Sequence, residues 1–387
     1  MPWKETCAME ERDAFLLAWW SGEFTMSALC RRFEISRPTG YKWMQRGEAF
    51  GRQGLADWSR APGHHPNATP ATQVAAIVTL KRRHPTWGPV TISDWLKRER
   101  VDSTWPAVST TAEILKRHGL VKSRRRVRHV PPHTQPFASI SRPNDVWSAD
   151  FKGQFRLGDT RLCYALTISD NYSRYLLCCK GLARPEGSPT RAALEAVFRQ
   201  YGLPKAIRTD NGPPFASMAM GGLSALAVWL LKLGVWPERI APGQPQQNGR
   251  HERMHRTLKA ATAAPPRANL NAQQRAFNHF QHEYNDERPH RSLGSGQRPS
   301  DLYRPSPRPF PERLPAIAYP DDFAVRKVRV EGHMKWHGHE IFVSKTLAHE
   351  AVGLKPLEHD RWEVYFADLP LGILDARLGK ILRPRAT

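Results

Sequence analysis

The feature that most limits what this chain can fold into is a change of period at Val146. Before it, apolar residues recur roughly every three to four positions, as on helices. After it, "DVWSADFKGQFRL" alternates, with Trp147, Ala149 and Phe151 on one face and Ser148 and Asp150 on the other. Two further strands, "RLCYALTISD" and "SRYLLCCKGL", follow around a turn at Asp170–Asn171. Next come a helix over 188–202 capped by Ser188 or Thr190, a short strand "KAIRTD", an apolar helix within "FASMAMGGLSALAVWLLKLG", and a strand "VWPERIA". A basic helix starting near Gly249 closes the series. This order predicts a mixed five-stranded α/β sheet with helices on its faces.

Ahead of the switch the chain reads as two groups of three helices. In the first, Thr25 caps "MSALCRRF" and Ser36 caps "RPTGYKWMQRG", with Pro38 in its first turn. A helix, a short turn and a helix carrying Arg37, Thr39, Tyr41 and Lys42 form the pattern of a helix-turn-helix DNA reader over 1–58. The plainer alternative is a three-helix bundle. A linker, "SRAPGHHPNATPAT", leads to helical stretches at 71–83, 89–100 and 107–119, a second, winged helix-turn-helix over 68–130. From Ile114 to Asn144 there are eight Lys or Arg, among them Arg124, Arg125 and Arg126, and no acid. Charge runs are ordinarily solvated faces, but one without counter-charge beside two such patterns favours phosphate. A basic, Pro-rich linker fills 131–145. At the other end, short β segments predict a small antiparallel β-barrel over 322–387, in which "HMKWHGH" is a hairpin and Trp336 a candidate DNA contact.

Composition narrows the partner. Lys and Arg number 58 against 36 Asp and Glu, a net charge of +22, which argues for a polyanion and most commonly nucleic acid. The excess of Arg over Lys suits bidentate phosphate and guanine contacts, although a GC-rich genome produces the same bias. Five cysteines form no CxxC pair and no spaced framework, which argues against a structural zinc or a secreted disulfide scaffold. No apolar run approaches the ~20 residues of a membrane span, and the N-terminus lacks a signal-peptide core. The expectation is a soluble intracellular protein.

Phosphodiester chemistry with two metal ions needs about three carboxylates converging from separate elements. Asp150 lies on the first strand of the sheet, Asp210 ends its fourth, and Glu252 opens the basic helix. Adjacent strands can bring two acids together, and a helix packed on the sheet can supply the third. Glu252, Arg256 and Lys259 are spaced i, i+4 and i+7, so one helix face carries an acid beside two cations. His251, Arg253 and His255 add to the basic setting. Strand-end caps and a helix-dipole acid are the bland alternatives. Asp145, Asp170, Glu195, Glu238 and Glu283 are rival acids, of which Asp170 and Glu238 read as structural.

Four motifs, "WSADFKG", "IRTDNGPPF", "APGQPQQNGRHERMHRTLK" and "YNDERPHRSLGSGQRPSDLY", resemble in order and context the DDE transposases of bacterial insertion sequences with a retroviral-integrase-type core. The resemblance covers about 140–305 most strongly. It implies a ribonuclease H-like core over 146–304, with Asp150, Asp210 and Glu252 as its catalytic, metal-binding acids. It also implies a loop at Gln247, Asn248 and Gly249 close to DNA. Between Asp210 and Glu252 lie 41 residues, several more than the common family spacing, and the surplus falls within "SMAMGGLSALAVW". The implied activity is cleavage at the terminal inverted repeats and strand transfer into target DNA, with two Mg²⁺ ions or Mn²⁺ in their place. Joining two ends implies a homodimer or a higher oligomer on double-stranded DNA. The rival readings are a catalytically inactive DNA-binding regulator and a plain nuclease.

Overall fold

The computed structural model describes residues 7–60, 68–121, 140–210, 212–215, 223–240 and 249–382. The chain divides into two compact units, Met1–Ala68 and Thr69–Thr387. The first contains α1 (Ala8–Trp20), α2 (Met26–Arg32) and α3 (Arg37–Phe50), followed by a single 3-10 turn at Gly51–Leu55. The expected caps form: Thr25 accepts from the Ala28 amide and Ser36 from the Thr39 amide. A Cβ on Gly40 or Gly47 would collide with Cys30 or Leu16, so these glycines let α3 lie close against its neighbours. Phe15, Leu16, Leu29, Trp43 and Leu55 fill the small core between them.

The second unit opens with another helix trio, α4 (Ala71–Arg83), α5 (Pro89–Glu99) and α6 (Val108–Arg117), closed over Ile77, Trp87, Ile92, Leu96 and Leu115. No strand occurs among the described residues of 68–121, so no wing is seen there.

The chain then enters β1 (Val146–Arg156), β2 (Leu162–Asp170) and β3 (Leu176–Leu182). It continues through α7 (Gly187–Tyr201), β4 (Ala206–Thr209), α8 (Ala225–Lys232), β5 (Trp236–Arg239), α9 (Gly249–Thr262) and α10 (Leu270–His282). The sheet has the order β3-β2-β1-β4-β5, antiparallel across β1, β2 and β3 and parallel across β1, β4 and β5. This is the expected mixed five-stranded sheet. The alternation along β1 divides its two faces. Trp147 and Ala149 join Leu166, Ile168, Phe198 and Trp229 in a core shared with α7 and α8. On the opposite face Cys163 and Ala165 meet Met254 and Leu258 of α9 and Phe277 and Phe280 of α10.

Two local devices hold these layers. α8 is apolar all round because both sides are buried: Leu226, Trp229 and Leu230 face the sheet, while Ala227, Val228 and Leu231 pack into the C-terminal region. The outer strand β3 would present free backbone groups, and side-chain amides after α9 occupy them. Gln274 bonds Gly181 N and Cys179 O, and Asn285 bonds Leu176 N and O at 2.8 and 2.9 Å. Asn285 stands in a wider, π-helical turn, Glu283–Glu287, that extends α10 and leads to a short α11 (Pro299–Leu302).

The C-terminal region comprises β6 (Ala324–Lys327), β7 (His333–Trp336), β8 (His339–Phe342), β9 (Ala351–Leu357), β10 (Arg361–Phe366), β11 (Leu369–Asp375) and β12 (Lys380–Leu382). Five of these form one sheet, β12-β11-β10-β9-β6, and β7–β8 is a separate hairpin. What is seen of the expected barrel is thus a sheet region. The "HMKWHGH" hairpin is present, but Trp336 is 4% exposed and belongs to the core, which removes it as a DNA contact. No helix among the described residues is long and apolar enough to cross a membrane.

Candidate active site

Parallel pairing of β1 with β4 sets Trp147 against Ile207 and Ser148 against Arg208. Carried two residues further, the same register brings Asp150 beside Asp210, the residue that follows β4. A bulge between Phe151 and Gln154, where Gly153 has φ +51°, ends the regular β1–β2 pairing just past Asp150. α9 crosses the same face of the sheet, burying His251, Met254, His255 and Leu258. Helical geometry turns Glu252, Arg256 and Lys259 away from that contact, and all three are exposed.

The electrostatics tie these elements together. Burial and the neighbouring Asp210 push the Asp150 carboxyl up to about 7, and Glu252 adds a smaller push in the same direction. The Phe151 N–H and the Lys152 charge oppose the rise without cancelling it. Asp150 therefore feels both of the other acids. The gathering stops short of a cage: among the described residues, no group of three or more His, Cys, Asp or Glu side chains is close enough to hold a metal ion as it stands. The donor chemistry nonetheless fits a hard divalent cation. All three groups are carboxylate oxygens, and the uncompensated repulsion at Asp150 is what such an ion relieves.

The basic helix carries less charge than its sequence suggests. His251 and His255 are not cations of a DNA-facing surface. They are 2% and 3% exposed, and burial pushes them down to about 3 and about 2, so both are neutral. Both reach Thr167 on β2, His251 Nε2 at 2.7 Å and His255 Nε2 at 2.6 Å from its Oγ1. Thr167 Oγ1 also lies 3.2 Å from the Asp150 carbonyl, and His251 Nδ1 lies 2.9 Å from Ser169 Oγ. One proton assignment satisfies the set: Thr167 donates to Asp150 O and accepts from both rings, while Ser169 donates to His251. Thr167 thereby joins the backbone that carries Asp150 to the helix that carries Glu252. The signal in sequence was the i, i+4 histidine pair opposite an alternating Thr and Ser on β2.

The rival acids are bound elsewhere. Asp145 accepts from Ser141 and Arg142 and pairs with Lys205 at 2.9 Å, which hold it well below the usual range against the effect of burial. Asp170 accepts from Asn144 and Ser173, Glu195 pairs with Arg199, and Glu238 with Arg208. Glu283 accepts from Trp87 of the second helix trio. Among the described residues the Asp150 carboxylate pairs with no Lys or Arg and accepts no side-chain hydrogen bond; its one ion-pair neighbour there is His255, at 3.7 Å.

Among the expected DNA contacts, Arg37, Tyr41 and Lys42 are exposed on α3, whereas Thr39 is half-buried and bonded to the capping Ser36 at 2.8 Å. Arg124, Arg125, Arg126 and Asn248 lie outside the described residues, as does Gln247; Gly249 is not loop but the first residue of α9.

Comparison with known proteins accords with this arrangement. Residues 140–245 and 233–296 match the integrase core domain, residues 11–63 a helix-turn-helix domain and residues 39–115 a homeodomain-like domain. The chain is 30% identical over 244 residues to the insertion element IS476 uncharacterized 39.2 kDa protein of Xanthomonas euvesicatoria, a match covering 62% of this chain and 68% of that one. It is 31% identical over 184 residues to the insertion element IS407 uncharacterized 31.7 kDa protein of Burkholderia multivorans, covering 45% of this chain and 61% of that one. It is also 30% identical over 119 residues to the Gag-Pol polyprotein of baboon endogenous virus, 31% of this chain and 6% of the polyprotein. The chain belongs to the transposases of bacterial insertion elements that carry an integrase-type core.

Proposed function

We propose that this protein binds the terminal inverted repeats of its own element, cuts the DNA ends and joins them to target DNA. Asp150, Asp210 and Glu252 are the catalytic, metal-binding acids in this reading. The observation that carries it is the state of Asp150: a half-buried carboxylate driven up to about 7, with two further acids acting on it, on an integrase-type sheet where the rival acids are already bound. Two Mg²⁺ ions, or Mn²⁺ in their place, would supply activation of the attacking oxygen and stabilisation of the leaving one.

The chain's own residues do the rest. The carboxylates of Asp150, Asp210 and Glu252 furnish the oxygen ligands, and Thr167 with its two histidines holds the first against the last. Arg256 and Lys259, on the exposed face shared with Glu252, bind phosphates beside the bond that reacts. Asn248, Arg124, Arg125 and Arg126 add contacts to the backbone of the duplex. On α3, Arg37, Tyr41 and Lys42 read the repeat, with Thr39 fixing the helix start. Water first replaces the 3′ oxygen at a terminal phosphodiester, leaving a free 3′-hydroxyl. That hydroxyl then attacks a target phosphodiester in line and displaces the target's own 3′ oxygen. No bond forms between protein and DNA, so no Ser or Tyr serves as nucleophile. Two ends require a homodimer or a higher assembly. The core is read as ribonuclease H-like, the C-terminal sheet region as part of a small β-barrel, and the place of action as the nucleoid.

The test is a strand-transfer assay with a labelled duplex from the element's end, a plasmid target and Mg²⁺. Joined product with the wild type and none with Glu252→Gln is the expected result. Binding without cleavage or joining, in Mg²⁺ and Mn²⁺ alike, would replace this reading with that of an inactive DNA-binding regulator.

A further inference from the structure

One motif has no part in the chemistry above: "YNDERPHRSLGSGQRPSDLY", from Tyr284 to Tyr303. In the fold it does two things at once. Toward the sheet, Asn285 holds the Leu176 backbone, and Tyr303 Oη donates to Asn144 Oδ1 at 3.0 Å, just ahead of β1. Toward the second helix trio, the motif and the preceding Glu283 form a dense polar joint. Glu283 Oε1 accepts from Trp87 Nε1 at 2.7 Å and lies 3.1 Å from His84 Nδ1. The rings of His84 and Trp87 are stacked at 4.0 Å, and they are 5% and 0% exposed. Arg98 forks onto both oxygens of Asp301 at 2.5 and 2.9 Å and donates to Gly296 O, and Arg298 pairs with Glu99. Acid and base stand on both sides of the joint, so it has one register.

We propose that α6 contacts the repeat alongside α3, through its exposed Ser109, Thr110, Lys116 and Arg117, and that this joint is a ruler: it fixes how far the cut phosphodiester lies from those contacts. The proposal rests on the transposase reading of the acids. The joint uses α4, α5 and the turn between them, and it leaves Ser109, Thr110, Lys116 and Arg117 of α6 exposed outside it. A link of 18 residues sets no more than an upper bound of about 60 Å on that separation. Through the joint, α6 is instead continuous with the start of β1, the strand that carries Asp150. Recognition and cleavage thus share one rigid frame, and the element's end is cut at a constant distance from its repeat.

The test uses the full chain carrying Glu283→Gln with Asp301→Asn, and a duplex from the element's own end. Hydroxyl-radical footprinting in Ca²⁺ reads the joint without any cleavage. The expected result is that wild type protects one continuous tract to the terminus. The double variant keeps the internal, α6-bound part, loses protection at the terminal base pairs at least fivefold, and binds within about threefold of wild type. In Mg²⁺ the wild type cuts at one position and the variant at several. Arg98→Lys, at a partly exposed side chain, gives the same readout should the double variant fail to fold, and Glu195→Gln is the control. Footprints and cut positions identical to wild type would overturn the ruler. A wild type that protects the DNA and never cuts it would instead count against the assignment of the acids, while the footprints still decide the joint.

Discussion

Asp170 and Asp150 sit on the same ladder of the core sheet, and the fold treats them in opposite ways. Across β1 and β2, Trp147 pairs with Asp170 and Asp150 pairs with Thr167. Burial raises both carboxyls. At Asp170 the protein answers with donors: Asn144 N at 2.8 Å, Ser173 N at 2.7 Å and Ser173 Oγ at 2.6 Å. At Asp150 it adds two more acids, and the nearest ring nitrogen, 3.7 Å away, belongs to a neutral histidine. An acid whose charge folding satisfies is part of the scaffold. One whose charge folding leaves exposed to repulsion is held for something that binds later.

The largest expected effect breaks the comparison on the side of chemistry. Asp150→Asn, Asp210→Asn and Glu252→Gln should each lower strand cleavage by about three orders of magnitude or more while DNA affinity stays within a few-fold. Gel-based cleavage and mobility-shift titrations measure the two quantities, and full cleavage by any of the three removes that residue from the site. The mirror experiment is Asp170→Ala. It strips the acceptor from two backbone N–H groups and a hydroxyl in a buried corner, and should destabilise the second unit by about 2–4 kcal/mol. Urea unfolding reads this directly. A stable but inactive Asp170→Ala would reverse the roles assigned to the two aspartates.

How much of this contrast could be read from the sequence depends on the distance over which each residue acts. Alternation along β1 placed Trp147 and Ala149 on one side and Asp150 on the other, because a pleated strand has a period of two wherever it lies. The i, i+4, i+7 spacing gave the exposed face of α9 for the same reason. The rest depends on pairing across long separations. Nothing local marks His251 and His255 as neutral, since their partners, Thr167 and Ser169, lie on a different element more than eighty residues earlier. Glu283 stood among the rival acids, and its role became visible only with Trp87, 196 residues away in the chain, in place. The apolar run of α8 was legible as a helix, but its second buried face needed the C-terminal sheet.

Thr167 sharpens the comparison from inside the ladder. Thr167→Val keeps the shape of the side chain and removes the hydroxyl that ties Asp150 to His251 and His255. A positioning role predicts about a tenfold loss of cleavage with unchanged DNA affinity, and recovery in Thr167→Ser. A purely structural role predicts instead that activity follows the folded fraction, so unfolding curves and cleavage rates on the same samples separate the two.

The smallest effect is the most diagnostic, because it has the opposite sign at the two aspartates. In the folded chain Asp150 ionises near 7, above the ordinary carboxylate value of 3.8, so its charge opposes folding; that opposition sets in above 3.8 and is complete above about 7. A shift of this size is worth at most about 4 kcal/mol, and relaxation of a partly solvated site leaves about 1 kcal/mol to recover. Asp150→Asn removes the charge and keeps the shape. In EDTA at mildly alkaline pH it should therefore raise the melting temperature by about 2–4 °C, while Asp170→Asn, which exchanges an acceptor for an amide donor opposite the Ser173 N–H, lowers it. If Asp150→Asn also melts lower, Asp150 is a second scaffold acid and the contrast between the two collapses.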